Sequence, residues 1–111
     1  MSEPKLVRDL VPELIQAEGR LPIVEVLTLA RRRPALLAKL LEEASEAAAA
    51  SDDDLPEELA DVLEVVRTLA ADLGMSLADV LVLADGKRER RGGFDRGLVL
   101  VRVEPDVEPE G

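Results

Sequence analysis

The chain has 111 residues and a net charge of −10; 47% of its residues are apolar, with one Phe and no Trp, Tyr, Cys or His. That composition excludes disulfide frameworks, thiolate or imidazole zinc sites and His-based triads, leaving carboxylates, Lys, Arg, hydroxyls or a hard metal for any catalysis. The acidic balance argues against a broad basic face for nucleic-acid polymers, and no apolar run of about 18 residues is present to span a membrane.

Residues Asp9 to Glu18 have the pattern of a short helix, with Asp9 as N-cap and Gly19 closing it. Residues 21–27, LPIVEVL, alternate after Pro22 and predict a short strand. A long helix is expected over 34–50, with Pro34 in its first turn and an apolar stripe of Leu36, Leu37, Leu40, Leu41 and Ala44. SDDDLP then ends one helix and starts the next, an Asp capping and Pro56 entering the first turn. The second long helix, 56–73, turns Leu59, Val62, Leu63, Val66, Leu69, Ala70 and Leu73 inward; Val65 widens that stripe, which predicts cover on more than one side. Gly74 closes it. Ser76 and Asp79 fit a capping box for a helix reaching about Arg91, where Gly92-Gly93 stop it. LVLVRV at 98–103 is the best strand in the chain and can pair with 22–27.

The expected fold is therefore one mainly α domain over 1–103, an antiparallel helical bundle with a small two-stranded β element. The acidic, proline-rich segment 104–111 is expected to be a disordered tail. A core of small aliphatic residues in so short a chain leaves much surface uncovered, so a homo-oligomer is expected, dimer or tetramer. The absence of a signal peptide or membrane span points to the cytoplasm.

Glu43 and Glu46 lie three apart on one long helix, and Glu58 and Asp61 repeat the spacing on the next. A fold-back near Asp52 sets 46 beside 58 and 43 beside 61, so four carboxylates meet between antiparallel helices. Glu43 continues the stripe of Leu36 and Leu40 and should point inward, where a carboxylate must be paired, protonated or metal-bound. Lys39 is the one cation within a turn of Glu43 and Glu46. Oxygen-only ligation suits Mg²⁺, with Mn²⁺ as a substitute. Glu42, about 100° round the helix from Glu43, could reach a second metal or a water. Spacing alone leaves open the plainer reading, in which these acids solvate the hairpin end and favour a helix N-terminus.

EEASE (42–46) followed by ELAD (58–61) resembles the EExxE…ExxD signature of the all-α nucleoside triphosphate pyrophosphohydrolases, the MazG-like superfamily. KLVRDLVPELI near the start and KRERRGGF near the end resemble its short stand-alone, phosphoribosyl-ATP pyrophosphohydrolase-like members, and the likeness spans about residues 5 to 103. It implies Mg²⁺-dependent hydrolysis of a nucleoside triphosphate between the α and β phosphates. Glu43, Glu46, Glu58 and Asp61 would then be metal ligands, and Glu42 an accessory ligand or the base for the attacking water. Larger members carry Asn-x-Lys-Phe-x-x-Arg on the following helix. Here Asp85 replaces Asn and Arg88 replaces Phe, while Lys87 and Arg91 are kept and could face the triphosphate or only stabilise the helix C-terminus. Lys5 and Arg8 are further cations that could contribute, whereas Arg31–Arg33 has the character of a solvated surface. An acidic protein can bind a polyanion in this way because metals reverse the local sign.

Two alternatives stay open at this level. One is true phosphoribosyl-ATP pyrophosphohydrolase, although its usual Tyr-His pair after the second motif is replaced here by ADVLEVV. The other is a non-catalytic helical oligomerisation or regulatory module, which should show no Mg²⁺-dependent thermal shift.

Overall fold

The structure is a computed structural model, and it describes residues 4–105. Four helices follow in order: α1 (Val11–Ala17), α2 (Leu29–Ala49), α3 (Leu55–Asp72) and α4 (Leu77–Arg91). α2 and α3 form the central antiparallel pair. At one end Arg33 donates to Asp72 at 2.7 Å, and towards the other Glu43 meets Glu58 and Asp61. Arg33 is thus a clasp between the start of α2 and the end of α3, and not simply part of a solvated arginine run.

α2 starts five residues before the expected position. Thr28 caps it, its side chain accepting from the Arg31 N–H, and Leu29 to Arg33 are adequate helix formers. Pro34 therefore lies inside the helix; it removes one bond close to the N-terminus, where the loss is smallest. α1 starts at Val11, with Leu10 at the cap position and Pro12 in the first turn, so Asp9 lies in the preceding turn instead of capping. Gly19 follows α1 with φ +81°, a conformation that favours glycine. The Ser76–Asp79 capping box forms in both directions, at 2.9 and 3.1 Å.

The core is narrow. Leu36, Val65 and Ala70 are its buried apolar residues, while Leu41, Leu59 and Leu63 of the expected stripes are exposed and Ala44 faces solvent. Val65, expected at the edge of the α3 stripe, is at the centre of the buried face. α2 packs along α3 and α4 touches it more briefly, and among the described residues Leu59, Leu63 and Leu73 of α3 stay exposed.

The expected β element is absent among the described residues. Residues 21–27 and 98–103 carry no strand pairing, and apart from the half-buried Pro22 and Leu27 their side chains are exposed, Val26 at 92% and Val99 at 84%. Two isolated strands are marginal without a third strand or a covering helix. Residues 106–111, most of the expected tail, lie outside the described residues. No helix among the described residues is long and apolar enough to cross a membrane.

Candidate metal centre

The α2–α3 pair brings three acids together. Glu43, Glu58 and Asp61 each present a carboxylate oxygen, and these oxygens all lie within 4.8 Å of one another. The register follows from the helix repeat: Glu43 lies two turns beyond Leu36 on the buried face of α2, and Glu58 and Asp61 occupy one face of the first turns of α3. Glu43 is only 7% exposed, the one buried charged residue among those described. The inward direction read from the apolar stripe is the direction found.

Two of the carboxylate oxygens, Glu43 Oε2 and Glu58 Oε2, are buried without a hydrogen-bond partner. Unsatisfied buried polar atoms are scarce in folded proteins, and two facing one cluster need an explanation. A divalent cation between them would supply it. Hard oxygen donors in this number suit Mg²⁺ or Mn²⁺, so the residues fit such an ion.

Glu46 is one turn further along α2 and is exposed; it lies outside the three-residue group. It still senses the cluster. The charge of Glu43 foremost, then burial, a hydrogen bond with Glu43 and the charges of Glu58 and Glu42, raise its pKa above the ordinary carboxylate value.

Cations border the acids. Lys39 approaches Glu43 Oε1 at 3.1 Å and Glu42 at 3.5 Å. Burial alone would lower the Lys39 pKa, but its hydrogen bonds to Glu43 and Glu42 and their charges outweigh that and raise it. Its i,i+4 spacing to Glu43 was visible in the sequence. Two further contacts come from residues before α1: Arg8 donates to Asp61 Oδ1 at 2.6 Å, and Lys5 lies 3.8 Å from Glu42. No spacing rule could predict a contact across 53 residues of sequence.

Glu42 stands at the edge of the cluster, half-buried between Lys5 and Lys39. Lys87 and Arg91 are exposed near the end of α4, and among the described residues neither forms an ion pair with the acids. The neighbouring Arg88 instead binds Asp95 at 3.0 Å, tying the segment after α4 back onto it.

The helical pair thus sets carboxylates from two helices against one another, an arrangement suited to holding a divalent cation. Residues 31–93, more than half of the chain, match the MazG nucleotide pyrophosphohydrolase domain, and the chain belongs to that family. No curated protein and no solved structure matches it significantly. The matched range contains all five acids as well as Lys87 and Arg91; Lys5 and Arg8 lie before it.

Proposed function

We propose that this protein hydrolyses a nucleoside triphosphate at the α–β phosphate bond in a Mg²⁺-dependent reaction, releasing monophosphate and pyrophosphate, and so clears non-canonical or excess (d)NTPs. The observation that carries this reading is the pair of partnerless buried oxygens on Glu43 and Glu58, two members of a three-carboxylate cluster inside the matched domain. Glu43, Glu58 and Asp61 would hold the ion together with Glu46 from the next turn of α2, and Mn²⁺ would substitute. When bound, the ion supplies positive charge that orients the phosphates and offsets charge on the phosphoryl oxygens.

Glu42 is the base in this reading. Its carboxylate is accessible at the cluster's edge and oriented by Lys39 and Lys5. It takes the proton as a water oxygen bonds to phosphorus and the bond to the bridging oxygen breaks, releasing pyrophosphate. Lys87 and Arg91 are assigned to the phosphates. In the isolated chain they do not touch the acids, so their contribution depends on how copies assemble.

Incubation with a panel of canonical and modified (d)NTPs in Mg²⁺ should yield monophosphate and pyrophosphate, with no diphosphate. Orthophosphate as the first product would mean attack at the γ phosphate and would end this reading.

The same proposal includes a homo-oligomer. Leu59, Leu63 and Leu73 on α3 and Leu37 and Leu41 on α2 are exposed, more apolar surface than a lone chain keeps wet without cause. The molecule is also long, with principal extents of 78 × 34 × 25 Å, so it does not close over its own faces. Light scattering at micromolar concentration should give a dimer or tetramer mass; a stable monomer would refute the assembly.

A further inference from the structure

The segment before α1 reaches the acids although it lies outside the matched domain. Among the described residues, the backbone of residues 4–7 makes no hydrogen bond. Its charged contacts to the α2–α3 pair are those of Lys5 with Glu42 and Arg8 with Asp61. An open groove of about 420 Å³ lies between it and α2, floored by Leu6, Ala35 and Ala38 and bordered by Lys5, Lys39 and Glu42.

We propose that Lys5 and Arg8 form a cationic strap with two alternative sets of partners: Glu42 and Asp61 in the metal-free protein, and the phosphate oxygens of the nucleotide once those carboxylates are engaged by a divalent ion. The proposal rests on the metal-site reading above.

Charge balance supports the exchange. Glu42, Glu43, Glu46, Glu58 and Asp61 face Lys5, Arg8 and Lys39, a formal excess of two negative charges with every group ionised. A single divalent ion cancels that excess, so the three cations no longer face a surplus of carboxylate and are available to a polyanion. The exchange also costs little. The side chains of Lys5 and Arg8 are 62% and 58% exposed, and such exposed ion pairs contribute weakly to folding. Nor does the strap satisfy the deep oxygens, since Glu43 Oε2 and Glu58 Oε2 stay without partners beneath it. It pairs with the exposed side of the acids at Glu42 and Asp61. From that side the planar Arg8 guanidinium can offer two parallel N–H donors to a phosphate, a geometry an ammonium cannot match.

The strap thus has opposite effects on the two ligands. It competes with the metal for Asp61 and Glu42, and it assists the phosphates. A purely structural salt bridge would do neither.

The experiment measures two affinities by calorimetry for the full-length wild type, Arg8→Gln, Lys5→Gln and Arg8→Lys: Mg²⁺ alone, then inorganic tripolyphosphate in excess Mg²⁺. Tripolyphosphate makes the test independent of the base. Arg8→Gln should bind Mg²⁺ as tightly as wild type or several-fold more tightly, and tripolyphosphate about tenfold or more weakly. Lys5→Gln should change both affinities in the same directions by less, and Arg8→Lys should recover part of the tripolyphosphate affinity. Tripolyphosphate affinity within twofold of wild type in both Gln variants, or Mg²⁺ affinity falling in parallel, overturns the strap while leaving the metal site intact. A wild type that binds neither probe overturns the metal-site reading and the strap with it.

Discussion

Glu43→Gln should lower kcat/KM by at least about a hundredfold, because even residues that only support a metal ligand often cost that much when changed. It should also remove the thermal stabilisation by Mg²⁺, which for the wild type is about 2.7 kcal/mol at a hundredfold excess over the dissociation constant. The metal-free fold should change by less than about 1 kcal/mol, because two effects oppose each other. Lys39 loses its 3.1 Å partner but keeps Glu42 at 3.5 Å, so no buried cation is stranded. Against that loss, the charge that crowds Glu46, Glu58 and Asp61 disappears. Melting curves in EDTA and in Mg²⁺ measure both quantities. A fully active variant with an intact Mg²⁺ response would sink the metal site.

The same substitution should change the pH dependence. The raised pKa of Glu46 means that the folded protein holds this proton more tightly than the unfolded chain. Metal-free stability therefore falls as pH rises from the ordinary carboxylate range through the raised folded value, and is level above it. Glu43 is the largest cause of the rise, so in Glu43→Gln that fall should be shallower.

The parts of this site that were legible in the sequence are the local ones. Glu43 follows Leu36 and Leu40 at helical spacing, which fixes its direction before any tertiary contact is known. The two acidic pairs and the short bend between them fix the register of α2 against α3. The capping box at Ser76 and Asp79 and the stop at Gly92 are equally local, and both are in place. Long-range contacts were not legible. Arg8 reaches Asp61 and Arg33 reaches Asp72 only because the chain folds back, and neither partner is marked in sequence. Residues 98–103 have a strand's alternation, yet alternation specifies only which side chains share a face and not whether an edge exists to pair with. Pro34 misplaced the start of α2 because its preference for a first turn is weaker than the cap that Thr28 supplies.

Leu36→Ala should be the most destabilising single truncation on α2, at about 2–5 kcal/mol, because Leu36 is 3% exposed and few other side chains share the core. For a small domain that is a large part of the total stability, and the urea midpoint should fall accordingly. The effect should extend to the carboxylate cluster. Leu36 and Glu43 lie seven residues apart on one face of α2, so a cavity under Leu36 loosens the packing that sets Glu43 opposite Glu58 and Asp61. Mg²⁺ titration of the variant should therefore need more ion for the same stabilisation, while saturating Mg²⁺ restores part of the lost stability. The control is Leu41→Ala on the same helix: Leu41 is 74% exposed in the single chain, and its truncation should cost no more than about 0.5 kcal/mol in a monomer. A larger, concentration-dependent loss at Leu41 would place that face in a contact between copies. An unchanged urea midpoint and Mg²⁺ response in Leu36→Ala would mean that the α2–α3 packing does not set the geometry of the carboxylates.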